Sequence, residues 1–152
     1  MTPPNALGPR GDQPTVLLVD DSRDLRALVV HWLEDVGFEV LTAASAEEAI
    51  WSIQQYAVDV ALCDVMLPGH DGIWLAREIS ALSPNTQVIF TTALESLPGS
   101  ETLRPGIFGY LVKPLSQDRL IGMVLRACAA SSYIPERHTK VLRSLRSGDI
   151  DS

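Results

Sequence analysis

In the segment Val16-Leu17-Leu18-Val19-Asp20-Asp21-Ser22, a short apolar run ends abruptly in two acidic residues, and this pattern is the main indication of the fold. Three later runs follow the same plan: Val60-Ala61-Leu62-Cys63 before Asp64, Val88-Ile89-Phe90-Thr91 before Thr92, and Tyr110-Leu111-Val112 before Lys113. Such runs, separated by helical patterns, are typical of buried parallel strands joined by crossover helices. Parallel strands end at one edge of the sheet, where ligands bind in open α/β folds. We therefore expect these polar residues to converge at that edge.

The segments between these runs predict the remaining elements. A helix from about Ser22 to Val36 ends at Gly37, and its predicted apolar face consists of Leu25, Leu28, Val29, Trp32 and Leu33. Ser45 and Glu48 form a capping box for the next helix, which runs through Tyr56. The other predicted elements are strands at 15–19, 38–41, 59–63, 87–92 and 108–112, and helices at 73–82, 100–104 and 117–131. Five β-α units predict the α/β class, with a doubly wound five-stranded parallel sheet in a flavodoxin-like (β/α)5 three-layer sandwich.

Length and composition indicate one folded domain. Of the 152 residues, 46% are apolar, which is ample for a core. Residues 14–131 hold all the strand and helix patterns above, whereas 1–13 read as a flexible lead-in and 132–152 as a tail with room for one short basic helix. No apolar run suggests a membrane span or a signal peptide. Two cysteines in apolar surroundings indicate reduced thiols, so we expect a cytoplasmic location and no membrane partner.

The charge is unevenly distributed along the chain. Residues 14–131 carry seven Lys and Arg against fifteen Asp and Glu, which gives 7 − 15 = −8. An acidic domain argues against direct nucleic-acid binding, because such binding needs basic surface to neutralise phosphates. Solubility alone is sufficient reason for an acidic surface.

The polar groups at the strand ends predict a specific chemistry. Asp20, Asp21 and Asp64 would place three carboxylates close together, which destabilises the fold unless a cation neutralises their charge. A small hard cation such as Mg²⁺ suits oxygen ligands of this kind. Lys113 adds a mobile positive charge and Thr92 a hydroxyl donor. Together these groups favour phosphoryl transfer onto a carboxylate, a reaction that depends on positioning and charge neutralisation.

Four motifs of the chain resemble the receiver domain of bacterial response regulators, of the chemotaxis-regulator kind, in two-component systems. They are Val19-Asp20-Asp21-Ser22, Cys63-Asp64-Val65-Met66-Leu67-Pro68-Gly69-His70-Asp71-Gly72, Thr92-Ala93, and Tyr110-Leu111-Val112-Lys113-Pro114. Each motif is weak alone, but four in order make the resemblance specific, and it covers about residues 14–131.

The resemblance assigns a role to each site residue. It implies that Asp64 accepts a phosphoryl group from a sensor histidine kinase or a histidine phosphotransfer protein. It implies that Asp20, Asp21 and Asp64 bind Mg²⁺, with Mn²⁺ as a substitute, together with the backbone carbonyl of Met66. Thr92 and Lys113 are expected to bind the phosphoryl oxygens.

The resemblance also implies how the signal leaves the site. Thr92 would move toward the phosphoryl group and Tyr110 would swing inward behind it. The output face would be formed by the fourth predicted helix (100–104), the fifth strand and the fifth predicted helix (117–131). Lys113-Pro114 is expected to be cis, and the domain is expected to promote its own phosphoryl transfer and dephosphorylation without being a conventional enzyme.

Four alternatives remain at the sequence level. An unphosphorylated pseudo-receiver scaffold would keep the fold without the reaction. A receiver fragment of a longer regulator would lack its output domain, since the 21 residues after 131 are too few for a helix-turn-helix domain. A phosphatase with an aspartyl intermediate would place a second acidic residue where this chain has Met66. A flavin or nucleotide binder would need glycines or hydroxyls where this chain has Asp20 and Asp21.

Overall fold

The computed structural model describes residues 13–93 and 106–131, which form alternating strands and helices. The described strands are β1 (Thr15–Val19), β2 (Glu39–Ala43), β3 (Val60–Asp64), β4 (Gln87–Thr92) and β5 (Ile107–Val112). The described helices are α1 (Arg23–Val36), α2 (Ala46–Gln55), α3 (Gly72–Leu82) and α4 (Gln117–Ala130), the last being the fifth helix of the sequence prediction. The predicted helix at 100–104, the lead-in 1–12 and the tail 132–152 lie outside the described residues.

All five described strands are parallel, in the order β2-β1-β3-β4-β5. Alternate residues of β1 point to opposite faces: Leu17 and Val19 pack toward α2 and α3, and Val16 and Leu18 toward α1 and α4. Each face of the sheet is therefore covered by a layer of helices, and both layers bury apolar side chains against it. The predicted doubly wound α/β sandwich is confirmed.

Capping residues at both ends, Ser22 and Gly37, set the length of helix α1. The Ser22 hydroxyl accepts a hydrogen bond from the Leu25 N–H, and Gly37 ends the helix at φ 104°, a left-handed conformation that favours glycine. Val29 and Leu33 are fully buried, but Leu28 is 45% exposed, so its predicted place on the buried face was wrong. Val29 and Leu33 are four residues apart and meet the sheet directly, whereas Leu28 projects to the side of that stripe.

Strand β2 begins and ends later than the predicted 38–41. The Phe38 N–H still bonds to the Leu33 carbonyl at 3.1 Å, so Phe38 belongs to the turn that ends α1. At the other end, Ala43 pairs with Val19, and its carbonyl accepts a hydrogen bond from the Asp20 N–H at 3.1 Å. Pairing with β1 therefore extends β2 to the edge of the sheet that carries the acidic residues.

The predicted cap of α2 and the predicted burial of both cysteines are largely confirmed. The Ser45 hydroxyl accepts the Glu48 N–H, but the Glu48 carboxylate reaches the Ala44 N–H at 2.7 Å, one residue before the expected partner of the capping box. Cys63 and Cys128 are free and buried. Among the residues described, no helix has both the length and the hydropathy needed to cross a bilayer.

Candidate functional site

The carboxyl ends of β1 and β3 bring two acidic side chains together. Val19 pairs with Cys63, so Asp20, just after β1, lies beside Asp64, the last residue of β3. Both are buried, with 1% and 3% of their surface exposed, whereas Asp21 is exposed. Carboxylate oxygens of the three aspartates lie within 4.8 Å of one another. The side chains that the sequence predicted as a cluster are thus adjacent.

Local hydrogen bonds orient both buried carboxylates. Asp20 Oδ1 accepts the Ser22 N–H at 2.8 Å, and Asp64 Oδ1 accepts the Met66 N–H at 3.1 Å. Each acceptor lies two residues before its donor, which is the geometry of an Asx turn. The turns direct Oδ2 of both aspartates toward the same neighbour, Lys113.

Lys113 follows β5 and joins the two carboxylates. Its Nζ lies 2.9 Å from Asp20 Oδ2 and 3.3 Å from Asp64 Oδ2. Burial lowers the pKa of Lys113, but the hydrogen bond and charge of Asp20, and then those of Asp64, outweigh it and raise that pKa overall. Lys113 is therefore charged at neutral pH and neutralises part of the acidic cluster.

The pKa of Asp64 is raised. Burial is the main cause, and the negative charge of Asp20 adds to it, against the opposing effects of the Met66 N–H and Lys113. A single lysine therefore does not fully offset the cost of ionising this group. With one lysine beside two carboxylates, the site keeps an excess of negative charge. Such a site suits a hard divalent cation such as Mg²⁺, which prefers oxygen ligands.

Two residues that the sequence analysis did not assign hold this arrangement in place. Arg26 of α1 donates from Nη1 to the Asp20 carbonyl at 2.6 Å. Gly72, the first residue of α3, lies so close to the backbone of Asp64 that a Cβ there would be 2.2 Å from the Asp64 carbonyl oxygen. In the sequence, Asp71-Gly72 indicates only a turn and a helix cap. Asp71 does cap α3, because its Oδ1 accepts a hydrogen bond from the Trp74 N–H at 2.9 Å. The need for glycine depends on a contact between α3 and β3 that no local pattern encodes.

The remaining predicted residues lie around the same edge. Thr92 ends β4 and is fully buried, and its carbonyl accepts the Lys113 N–H at 2.7 Å. Tyr110 is half-buried in β5, on the face that α2 and α3 cover. The Met66 side chain is 61% exposed, and Lys113-Pro114 is cis as expected.

Comparison with known proteins gives the family. Residues 16–125 match the response regulator receiver domain. The chain is 36% identical over 115 residues to the C4-dicarboxylate transport transcriptional regulatory protein DctD of Rhizobium meliloti, covering 75% of this chain and 25% of that protein. It is 33% identical over 129 residues to the transcriptional regulatory protein TrcR of Mycobacterium tuberculosis, covering 84% of this chain and 50% of that protein. The chain thus spans between a quarter and a half of the length of these relatives.

Solved structures agree with this assignment. A CheY-like receiver domain protein from Methanospirillum hungatei superposes with a TM-score of 0.75 at 28% identity, covering 80% of this chain and 98% of that one. Chemotaxis protein CheY4 of Vibrio cholerae gives 0.70 at 33% identity, covering 76% and 98%. Response regulator TrrA of Thermotoga maritima, solved in complex with Mg(2+)-BeF, gives 0.69 at 27% identity, covering 76% and 99%.

The fold and the acidic strand-end site define a phosphoacceptor module of two-component signalling. The chain belongs to the response regulator receiver domain family, whose members bind Mg²⁺.

Proposed function

We propose that Asp64 is the phosphoacceptor of this receiver domain. An oxygen of the Asp64 carboxylate attacks the phosphorus of a phosphohistidine on a sensor kinase or a histidine phosphotransfer protein. The new P–O bond forms as the P–N bond breaks, and the imidazole nitrogen keeps the electron pair and takes up a proton. The product is an aspartyl phosphate that carries roughly two negative charges at neutral pH.

The observation that carries this proposal is the contact of Lys113 with both carboxylates. Its Nζ lies 2.9 Å from Asp20 and 3.3 Å from Asp64, so an ammonium group already stands beside the oxygen that would be phosphorylated. Lys113 then exchanges its bond to Asp64 for one to a phosphoryl oxygen. Thr92, at the end of the neighbouring strand, donates its hydroxyl to another.

Asp20, Asp21 and Asp64, with the Met66 carbonyl, would hold Mg²⁺ or, in its place, Mn²⁺. The bound ion supplies charge neutralisation for the incoming phosphoryl oxygens. The oxygen donors and the raised pKa of Asp64 support this ligand set.

The phosphoryl group then acts as a conformational signal. Movement of Thr92 and Tyr110 would alter the output face, to which β5 and α4 contribute. The domain accepts and loses its own phosphoryl group instead of turning over a separate substrate, and it works in the cytoplasm through protein contacts. An output domain elsewhere in a longer chain is compatible with the relatives, of which this chain spans only a part.

Intact mass spectrometry tests the acceptor. The full chain is incubated with acetyl phosphate, with and without Mg²⁺, as wild type, Asp64→Asn and Asp71→Asn. We expect one Mg²⁺-dependent phosphoryl adduct on wild type and none on Asp64→Asn. Asp71→Asn is the matched control, because it removes an exposed carboxylate seven residues away but keeps the oxygen that caps α3.

Two outcomes would contradict the proposal. An adduct that persists in Asp64→Asn would place the acceptor elsewhere. No adduct on wild type with acetyl phosphate or with a phosphorylated histidine phosphotransfer protein would favour the unphosphorylated scaffold.

A further inference from the structure

Exposed aromatic rings lie on the outer surface of α2 and α3, on the side of the sheet opposite to α1 and α4. Trp51 of α2 is 55% exposed, and its ring meets that of Tyr56 edge-on, with centroids 6.0 Å apart. At the start of α3, the rings of His70 and Trp74 stack with centroids 3.8 Å apart and 14° between their planes. Tryptophan contributes strongly to binding where a partner covers it. The described part of the domain leaves most of the Trp51 ring uncovered.

Two carboxylates accompany these rings. Glu47 precedes Trp51 by four residues on α2, so the two side chains are neighbours on the helix surface, and Glu47 Oε2 lies 3.9 Å from His70 Nε2. Glu48 is also exposed, and it gives one oxygen to the Ala44 N–H at 2.7 Å. Among the described residues, no Lys or Arg nitrogen lies within 4.0 Å of either carboxylate, and α2 itself contains no basic residue. We call this set of residues the aromatic–acidic strip: Glu47, Glu48, Trp51, Tyr56, His70 and Trp74.

The strip combines groups that suit the side chains of lysine and arginine. The face of an exposed tryptophan attracts an ammonium or guanidinium group, and a carboxylate beside it accepts hydrogen bonds from the same cation. Glu47 lies between Trp51 and the stacked His70 ring, so a cation over either ring system would stay close to a negative charge. The strip therefore fits a segment that carries several basic residues.

The chain carries such a segment in its tail, which lies outside the described residues. Residues 132–146 contain four basic residues against one acidic residue, Glu136, a net charge of 4 − 1 = +3, whereas residues 14–131 have −8. The basic residues are Arg137, Lys140, Arg143 and Arg146, and the apolar residues among them are Val141, Leu142 and Leu145. The tail thus offers cations for the carboxylates and apolar side chains for the exposed indole.

The tail starts close to the end of α2. Ser131, which ends α4, is buried, and its hydroxyl donates to the Cys128 carbonyl at 2.8 Å. Asp59 lies near this point, because its negative charge adds to the effect of burial and raises the pKa of Cys128 to about 12. Asp59 belongs to the short segment that joins α2 to β3. The residues from 132 to Arg146 can extend over about 50 Å, whereas α2 is about 15 Å long, so the tail can reach the whole strip.

We infer that this tail docks on the aromatic–acidic strip, with its basic side chains over the exposed rings and their charges on Glu47 and Glu48. Charge selects this surface, because α1 carries Arg23 and Arg26 and α4 carries Arg119 and Arg126, whereas α2 has no basic residue. The contact does not require a phosphoryl group on Asp64.

Paramagnetic broadening in NMR spectra tests the docking in the full chain. A nitroxide is attached at Ser144→Cys, where it reacts selectively because Cys63 and Cys128 are buried. The indole N–H signals of the three tryptophans, assigned by single Trp→Phe substitutions, are then recorded at low salt. We expect the Trp51 signal to lose most of its intensity. The Trp32 signal should keep its intensity, because Trp32 packs on the opposite side of the sheet.

Charge variants show whether the strip causes this broadening. Glu47→Gln/Glu48→Gln removes both charges and keeps an oxygen for the Ala44 N–H. It should lower the ratio of docked to free tail about fivefold and restore much of the Trp51 signal. NaCl at 1 M should act in the same direction. Asp24→Asn/Asp35→Asn removes two exposed carboxylates from α1 and is the matched control, which should leave the broadening unchanged. Circular dichroism confirms that the variants are folded.

Four results would overturn the inference. They are no broadening of Trp51, equal broadening of all three indoles, undiminished broadening in Glu47→Gln/Glu48→Gln, and broadening that arises only between molecules. The last is measured by mixing ¹⁵N-labelled chains that lack the nitroxide with unlabelled chains that carry it, and it would assign the strip to the tail of a second copy.

Discussion

Asp64 and Asp20 show how a site can destabilise its own fold. Burial and the neighbouring charge raise the pKa of Asp64 above its ordinary value of 3.8. As pH rises through that value, the unfolded chain releases the proton before the folded chain does. The folded state then binds more protons, so the contribution of Asp64 to stability falls with rising pH and is lowest above the raised pKa.

Replacing Asp64 by Asn should therefore stabilise the protein at neutral pH when no divalent cation is present. The amide removes the buried charge but keeps an oxygen for the Met66 N–H. We expect a higher Tm than wild type at pH 7, and the gain should shrink as pH falls toward the ordinary pKa of an aspartate. Differential scanning calorimetry in EDTA at several pH values measures it. A gain that stays constant with pH would exclude titration of Asp64 as its cause.

Arg26 should matter more for stability than its position on the surface of α1 suggests. Its guanidinium donates a hydrogen bond to the Asp20 carbonyl at 2.6 Å. The substitution Arg26→Met would leave this carbonyl without that donor. We expect a loss of about 1.5 kcal/mol in the free energy of unfolding, measured by urea denaturation. Arg23→Met on the exposed first turn of the same helix is the control, with an expected change within about 0.5 kcal/mol. Equal losses in the two variants would show that the bond to Asp20 is not the cause.

At the scale of elements, the start of α3 fixes the backbone at the end of β3. The Gly72 N–H donates to the Val65 carbonyl at 3.0 Å, and a Cβ on Gly72 would come within 2.2 Å of the Asp64 carbonyl oxygen and 2.8 Å of the Val65 Cα. Because both contacts are backbone atoms, neither can rotate away. The helix and the strand must separate to admit even a methyl group.

We predict that Gly72→Ala lowers the free energy of unfolding by about 2 kcal/mol, within the range for overpacking a core, and reduces phosphorylation of Asp64. Gly122→Ala on α4 is the matched control, since its Cβ would meet only the flexible end of Arg126 at 3.4 Å. Urea denaturation and the intact-mass assay give the two readouts. If Gly72→Ala is as stable as the wild type, α3 separates from β3 without a loss of free energy of unfolding, and the prediction is wrong.

The sequence predicted the ends of an element well where contacts between residues close in sequence set those ends, and less well where contacts with a distant element set them. Ser22, Gly37, Ser45 and Asp71 cap helices through bonds to residues within four positions, and such ends were predicted to within about one residue. The bounds of β2 were missed because pairing with β1 sets them. Likewise Leu28 fitted the helical period, but the sheet covers only the stripe through Val29 and Leu33.

The candidate site divides in the same way. The sequence predicted that Asp20, Asp21, Asp64, Thr92 and Lys113 lie at one edge of the sheet, because parallel strands all end there. Their roles in the site stay predictions. Arg26 and Gly72 were not found, because their roles are contacts with the backbone of residues on other elements.

At the scale of the whole molecule, the geometry of the acidic cluster predicts that ion binding depends on folding. The carboxylates of Asp20 and Asp64 converge only when β1 and β3 pair, so the unfolded chain offers no comparable cluster. A ligand that binds only the folded state raises stability with its concentration. The excess negative charge at the site therefore predicts a stability that depends on Mg²⁺.

We predict that Mg²⁺ at about 100 times its Kd stabilises the wild type by about 2.7 kcal/mol, which corresponds to roughly 10 °C in Tm for a domain of this size. Asp21→Asn should lose most of that shift. Its side chain is exposed, so it leaves the contacts of Lys113 with Asp20 and Asp64 in place. Asp71→Asn should keep the full shift, and NaCl at matched ionic strength should reproduce little of it, because screening acts weakly on buried charges. A shift of equal size in NaCl, or an undiminished shift in Asp21→Asn, would mean that the ion acts on the acidic surface in general and not at the strand-end carboxylates.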